Sequence, residues 1–193
     1  MRTERREAKL RSVLELRQPD LTVVLENIHD PHNVSAILRT CDAVGVSSVA
    51  LLYTVESFPK IGKKSSASAL KWIEREKFTS VEECFNTLRT QGFAIFATHL
   101  AEQGQSLFGL NLTKKTALVF GNEHRGVSEE AMKYADGNFL IPQFGMLQSL
   151  NVSVACAVSL YEACRQRLAS DQYNAPKYSP EEMKLRLEQW GNK

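Results

Sequence analysis

Three short segments place hydrogen-bonding side chains, an arginine and several glycines at spacings that suit the binding of a polar ligand. The first is ENIHDPHN at 26–33, running on to Arg39. Asn33 and Arg39 are six residues apart, nearly two turns if both lie on one helix. The second is FGNEHRGV at 120–127, with Glu123 between Gly121 and Gly126. It follows an apolar strand-like run and precedes a Ser-Glu-Glu helix start at 128–130. The third is IPQFGMLQSLNVS at 141–153, where Gln148, Ser149 and Asn151 stand at the entry to an otherwise apolar helix. A first helical turn has unsatisfied N–H groups that can cradle polar ligand atoms, and glycine lets a backbone approach a ligand closely.

Taken singly, each segment also has a plain structural reading. Asn33 or Ser149 can cap a helix, Arg39 can be a surface charge, and the glycine turn can be an ordinary turn. The glycine spacing is not G-x-G-x-x-G, so a dinucleotide-binding turn is not indicated. His29 and His32 lack the i,i+4 spacing of a helical metal pair, and Cys41, Cys84, Cys156 and Cys164 show no C-x-x-C or C-x-x-H pattern. No metal site is expected, and the thiols are expected to be reduced and mostly buried.

The elements that must position these segments alternate between strand and helix. Strand-like runs are Leu21–Glu26, Ser48–Tyr53, Phe93–Thr98, Thr116–Phe120 and Asn138–Ile141. Helices are predicted over Val34–Val44, Val81–Thr90 (closed by Gly92) and Asn151–Ala169. Near-continuous apolar runs separated by helices imply a parallel α/β sheet covered on both faces. The first 17 residues read as a charged helix with Leu10, Val13, Leu14 and Leu16 as its apolar stripe. Ser179-Pro-Glu-Glu182 marks the start of a last helix ending near Trp190.

The 193 residues suit one domain with modest appendages. Net charge is only +2, so composition alone does not announce a nucleic-acid partner. Basic residues do cluster: Arg2, Arg5, Arg6, Lys9, Arg11 and Arg17; then Lys60, Lys63, Lys64, Lys71, Arg75 and Lys77; then Arg165 and Arg167. Such clusters can neutralise phosphates, although a solvated helix face looks the same in sequence. No apolar run is long enough to span a bilayer, and the charged start lacks an apolar signal core, so a cytoplasmic protein is expected.

In combination and order, N-x-x-x-x-x-R after the first strand, F-G-N-E-x-x-G after a late strand and I-P-x-x-G-x-x-x-S-L-N-V-S-V-A closely resemble the three motifs of the SPOUT methyltransferases. Within these, the match is to the TrmH group of tRNA ribose methyltransferases. The resemblance covers most of the chain and is weakest over 54–69. It implies a parallel α/β fold whose C-terminal part forms a deep trefoil knot, a rare exception to un-knotted connections. It divides the chain into an RNA-binding helix at 1–18, a methyltransferase domain at 19–169 and a helical tail at 170–193.

The resemblance also implies a homodimer built on the helix after the third motif, S-adenosylmethionine as methyl donor, and tRNA guanosine 18 as substrate. By position, Thr98, Gly121, Ile141 and Leu150 would hold the cofactor. Arg39, Asn33, Glu123, Ser149 and Asn151 would form the catalytic pocket, and Arg6, Arg11, Arg165 and Arg167 would contact tRNA. The family residue matching Arg39 is the proposed proton acceptor or its organiser, but an arginine stays charged at neutral pH. Arg39 can equally grip a phosphate and orient the 2′-hydroxyl. The same chemistry on another RNA, an inactive RNA-binding relative and a small-molecule methyltransferase are the competing readings.

Overall fold

The computed structural model describes residues 4–61, 69–99, 104–147 and 149–193. Seven strands form one sheet: β1 (Leu21–Glu26), β2 (Ser48–Leu52), β3 (Glu74–Phe78), β4 (Ala94–Thr98), β5 (Gln105–Ser106), β6 (Thr116–Phe120) and β7 (Gly137–Leu140). Their order is β3-β2-β1-β6-β4-β7-β5, and all the pairings between them are parallel. Every residue of the central strands β1 and β6 is buried, as required of strands covered on both faces.

Helices α2 (Pro31–Ala43) and α6 (Val152–Ala169) cover one face. Val34, Ile37 and Leu38 of α2 and Leu160 and Ala163 of α6 pack there with Val23, Leu25, Val49 and Leu51 of the sheet. The other face is covered by α4 (Val81–Thr90) and α5 (Glu129–Tyr134), with Phe85 and Leu88 against Val24, Ala50, Leu52 and Val119. The expected parallel α/β sheet, covered by helices on both faces, is thus present. Helix α2 begins three residues before the expected start at Val34, because Asp30 is its N-cap, accepting from His32 N at 2.8 Å, and Pro31 occupies the first turn.

Strand β3 (EREKF) escapes a reading based on apolar runs because it is an edge strand with four of its five side chains exposed. Charged side chains on an edge discourage pairing with another chain. A short helix, α3 (Ala69–Trp72), leads into it.

The two ends of the chain meet. Helix α1 (Glu4–Glu15) packs on α7 (Pro180–Gly191), burying Leu10, Leu14, Met183 and Trp190 in a small core of their own with Tyr178. Val13 packs against it as expected, whereas Leu16 stays exposed. The expected capping box starts α7, with Ser179 Oγ accepting from Glu182 N and Glu182 Oε2 accepting from Ser179 N.

Two buried arginines tie this layer to the sheet domain. Arg17 donates to Val46 O at 2.7 Å and pairs with Asp42, its guanidinium lying 5.1 Å from the centre of the Trp190 ring. Arg167 donates to the carbonyls of Leu112, Asp20 and Lys114, to Gln18 Oε1 and to the Asp20 carboxylate at 2.6 Å. Lys177 holds the other Asp20 oxygen at 2.6 Å. Burial pushes the Asp20 carboxyl up, but Lys177 and Arg167 outweigh it and hold the group below the usual carboxylate range. Gly45 closes the same region: at φ +83°, an added Cβ would lie 2.7 Å from the Leu16 carbonyl oxygen.

Candidate active site

The three polar segments converge at the carboxyl ends of the central strands, where ligands bind in open α/β sheets. β1 and β6 are neighbours, so the turns after Glu26 and Phe120 lie side by side. Asn27 immediately follows β1 in a left-handed conformation (φ 51°), which asparagine tolerates better than most residues. Its Oδ1 accepts from the N–H groups of Thr54, Val55 and Glu56 at 3.0–3.2 Å. Asn122 donates to the Asn27 carbonyl at 2.7 Å and accepts from His124 N and Arg125 N. The pair fixes the glycine turn and the loop after β2 in one frame.

Glu123, in this turn, is the acceptor that joins the first two segments. Its carboxylate takes hydrogen bonds from His29 N (3.0 Å), Asp30 N (3.1 Å) and Asn33 Nδ2 (3.0 Å). Burial raises its carboxyl, but the Asn33 amide and the backbone donors outweigh that, and Glu123 sits below its ordinary range. Asn33 Oδ1 in turn accepts from Asn151 Nδ2 at 3.1 Å. Asn151 is the N-cap of α6, its Oδ1 accepting from Ser153 N, Ser153 Oγ and Val154 N. One directed relay therefore runs from the first N–H groups of α6 through Asn151 and Asn33 to Glu123. It explains why Asn33 is buried on α2 although it does not cap that helix.

Ser149 and Arg39 stand outside this relay. Both are exposed, and neither side chain makes a hydrogen bond or ion pair with the described residues. Ser149 does not cap α6; Asn151 does. Gln148, Arg2, Lys63 and Lys64 lie outside the described residues, as does part of the 54–69 segment. Thr98, Gly121 and Ile141 sit at the ends of three adjacent strands, β4, β6 and β7. Thr98 Oγ1 donates to Val119 O at 3.1 Å, and Leu150, in the third segment, is exposed.

Gly121 needs no ligand to explain its residue type. A Cβ there would lie 2.2 Å from Gly126 C and O and from Val127 N, so the turn closes on its own backbone. Gly126 adopts φ +69° and donates to Asn122 O at 2.8 Å.

The expected RNA contacts divide. Arg6 and Arg11 are exposed on α1, and Arg165 is exposed while paired with Glu162 at 2.8 Å. Arg167 corrects the expectation: its side chain is fully buried and its donors are taken up by five internal acceptors, so it has nothing to offer a phosphate. Residues two apart on a helix point to opposite sides, and the sequence pairing of Arg165 with Arg167 hides that. Asn27 and Asn122 lie inside the first two segments but have no role in the sequence reading; an asparagine within two residues of the end of an apolar strand is the turn signal that marks them.

Among the described residues no cluster of His, Cys, Asp or Glu could hold a metal ion. Nor is any described helix long and apolar enough to cross a membrane. The four cysteines are free; burial pushes the Cys41 and Cys84 thiols up to about 12, so they are not nucleophiles at neutral pH.

A polar relay at the carboxyl ends of parallel strands is a common arrangement, but joined to these three motifs it defines an α/β methyltransferase of the SPOUT class. Residues 20–161 match the SpoU rRNA Methylase family, and the chain belongs to it. It is 47% identical over 189 residues to a tRNA (guanosine(18)-2′-O)-methyltransferase of Thermus thermophilus, covering 98% of this chain and 97% of that one. Its fold is similar to the crystal structure of the Aquifex aeolicus TrmH/SpoU tRNA modifying enzyme (TM-score 0.92, 41% identity, 98% and 96% covered). It is also similar to the SpoU methyltransferase AviRb of Streptomyces viridochromogenes in complex with AdoMet (TM-score 0.68, 27% identity, 80% and 62% covered).

Proposed function

We propose that this chain methylates the ribose 2′-hydroxyl of guanosine 18 in tRNA, with S-adenosylmethionine as donor. The observation that carries the reading is the Glu123–Asn33–Asn151 relay, which joins residues from all three motifs at one end of the sheet. The names of relatives at 40–47% identity support the substrate.

The residues present fit the donor. Thr98, Gly121, Ile141 and Leu150 would hold it, where the ends of β4, β6 and β7 bring backbone groups together. When bound, it supplies a methyl group on a positively charged sulfur, which needs no metal. The protein's task is then to orient the ribose oxygen in line and see its proton removed. Asn33 and Asn151, held by Glu123 and by the start of α6, set the wall of the pocket. Ser149, whose hydroxyl has no partner among the described residues, is available to the substrate. Arg39, charged and unpaired among the described residues, grips the phosphate beside the target ribose and orients the 2′-hydroxyl.

Arg6, Arg11 and Arg165 supply tRNA phosphate contacts in this reading. The chain acts as a homodimer through α6, where exposed Val154, Tyr161 and Leu168 recur every seven residues on one stripe. Phe144, Met146 and Leu147 of the third segment are exposed as well and give a partner further apolar side chains to cover. A C-terminal trefoil knot belongs to the same reading, on the likeness to the TrmH/SpoU structure of Aquifex aeolicus. Incubation with unmodified tRNA transcript and methyl-labelled S-adenosylmethionine, followed by mapping of the alkali-resistant linkage, is expected to place one methyl at guanosine 18. A methyl elsewhere, or none, refutes the assignment.

A further inference from the structure

We infer that the outer edge of the sheet, along α3 and β3, is a second RNA-docking surface that takes a stretch of tRNA phosphate backbone. This rests on the proposal that the substrate is tRNA. The edge carries an open groove of about 700 Å³ lined by Lys71, Arg75, Lys77 and Lys193 together with Glu74, Leu70 and Ile73.

The register fixes which way the strand's charges face. Arg75 and Lys77 pair with Val49 and Leu51, which belong to the core beneath α2. Glu76 pairs with Ala50, which belongs to the core beneath α4. Side chains alternate along a strand, so the two cations share the α2 side of the sheet and Glu76 faces away. Glu74, the acid that does line the groove, is engaged by Arg186. Lys71, Arg75 and Lys77 are exposed and form no ion pair with the described residues. Arg17, Arg89, Arg125, Arg165, Arg167, Lys177 and Arg186, by contrast, all have acidic partners.

The position suits an extended polyanion that also reaches the active site. Helix α2 packs against α3 and carries Arg39, exposed on the same side of the sheet. β3 is two strands from β1, about 10 Å at the usual strand spacing. Uncompensated cations on one continuous face favour a phosphate chain over a protein partner, since the apolar residues of the groove, Leu70 and Ile73, are half-buried and buried and offer no exposed anchor.

The test is binding of unmodified tRNA transcript by the full-length chain, followed as salt is varied. The variant Lys71→Gln/Arg75→Gln/Lys77→Gln is expected to bind at least about tenfold more weakly near physiological salt, with the slope of log K against log salt reduced by roughly two to three. In the methylation assay, KM should rise with kcat little changed. Lys133→Gln, on the α5 side of the sheet, should leave binding unaltered. Lys71→Arg/Lys77→Arg should retain binding, and both sets should keep the thermal midpoint. An unchanged slope and affinity in the triple variant overturns the inference. So does an equal loss in Lys133→Gln, which would show only an effect of net charge. Because the readout is binding, it stands or falls separately from the mapped nucleotide: methylation away from guanosine 18 would refute that assignment and leave this result intact.

Discussion

The site end of the sheet and the α1–α7 layer are both rich in polar and basic residues, yet they use them in opposite ways. Where the layer meets the sheet, Arg167 is buried with every donor nitrogen engaged by an internal acceptor. Arg17 is buried against Val46 O and Asp42 with only its Nε left over, and Asp20 is shared by Arg167 and Lys177. At the strand ends, the amides and Glu123 satisfy one another, while Arg39 and Ser149, which we propose to meet the substrate, are exposed with side chains unpartnered among the described residues. A saturated arginine holds a fold together; an unsaturated one beside a rigid polar frame is available to a ligand. Charge in sequence does not separate the two cases, because saturation depends on acceptors brought from distant parts of the chain.

The contrast is broken most severely by Arg167→Ala. Removing one partner from a buried network leaves the Asp20 carboxylate and three carbonyls short of donors, at a cost of about 3–5 kcal/mol. Denaturant unfolding should show that loss, while any folded fraction still methylates RNA. A variant as stable as the parent would show that the network is not structural.

Arg39→Ala should do the reverse, lowering kcat/KM by about a hundredfold or more with an unchanged unfolding curve, as expected when a preorganised charged donor is lost. Arg39→Lys keeps the charge but not the planar fork, so it too should lose most activity. Near-parental turnover in the lysine variant would refute the gripping role.

Asn33→Ala lies between these extremes, because it belongs to both frame and pocket. Losing its two hydrogen bonds should cost about 1–2 kcal/mol of stability and lower turnover by about tenfold. An effect on stability alone would make the relay a scaffold only.

The smallest expected effect is on acid stability. Asp20 and Glu123 are both held below their ordinary ranges in the fold. Each therefore contributes stability that is complete above the unfolded value, about 4, and is lost as pH falls through the lower folded value. In a pH series of unfolding midpoints, Asp20→Asn should flatten the decline below about pH 4 relative to the parent. An identical decline would mean that Asp20 does not contribute to it.

The alternation of elements, the covered sheet and the three motifs were legible in the sequence because each depends on local pattern. β1 and β6 are near-continuous apolar runs, and Ser179 with Glu182 is a self-contained cap. β3 was not legible, because an edge strand satisfies its geometry with charged residues. Nor was the role of Gly121, whose requirement comes from Gly126 and Val127 folding back on it.

For this protein, the sequence by itself determined which residues are gathered at the strand ends and to which family they belong, since those motifs are short and local. Only the tertiary structure decided what each polar group does there. Asn33 meets Glu123 across ninety positions of chain and Asn151 across 118. Arg167 meets Asp20 across 147, whereas Arg39 meets no described acceptor at all. A hydrogen bond is decided by a few tenths of an ångström between groups far apart in the chain, and only the packed sheet sets that distance.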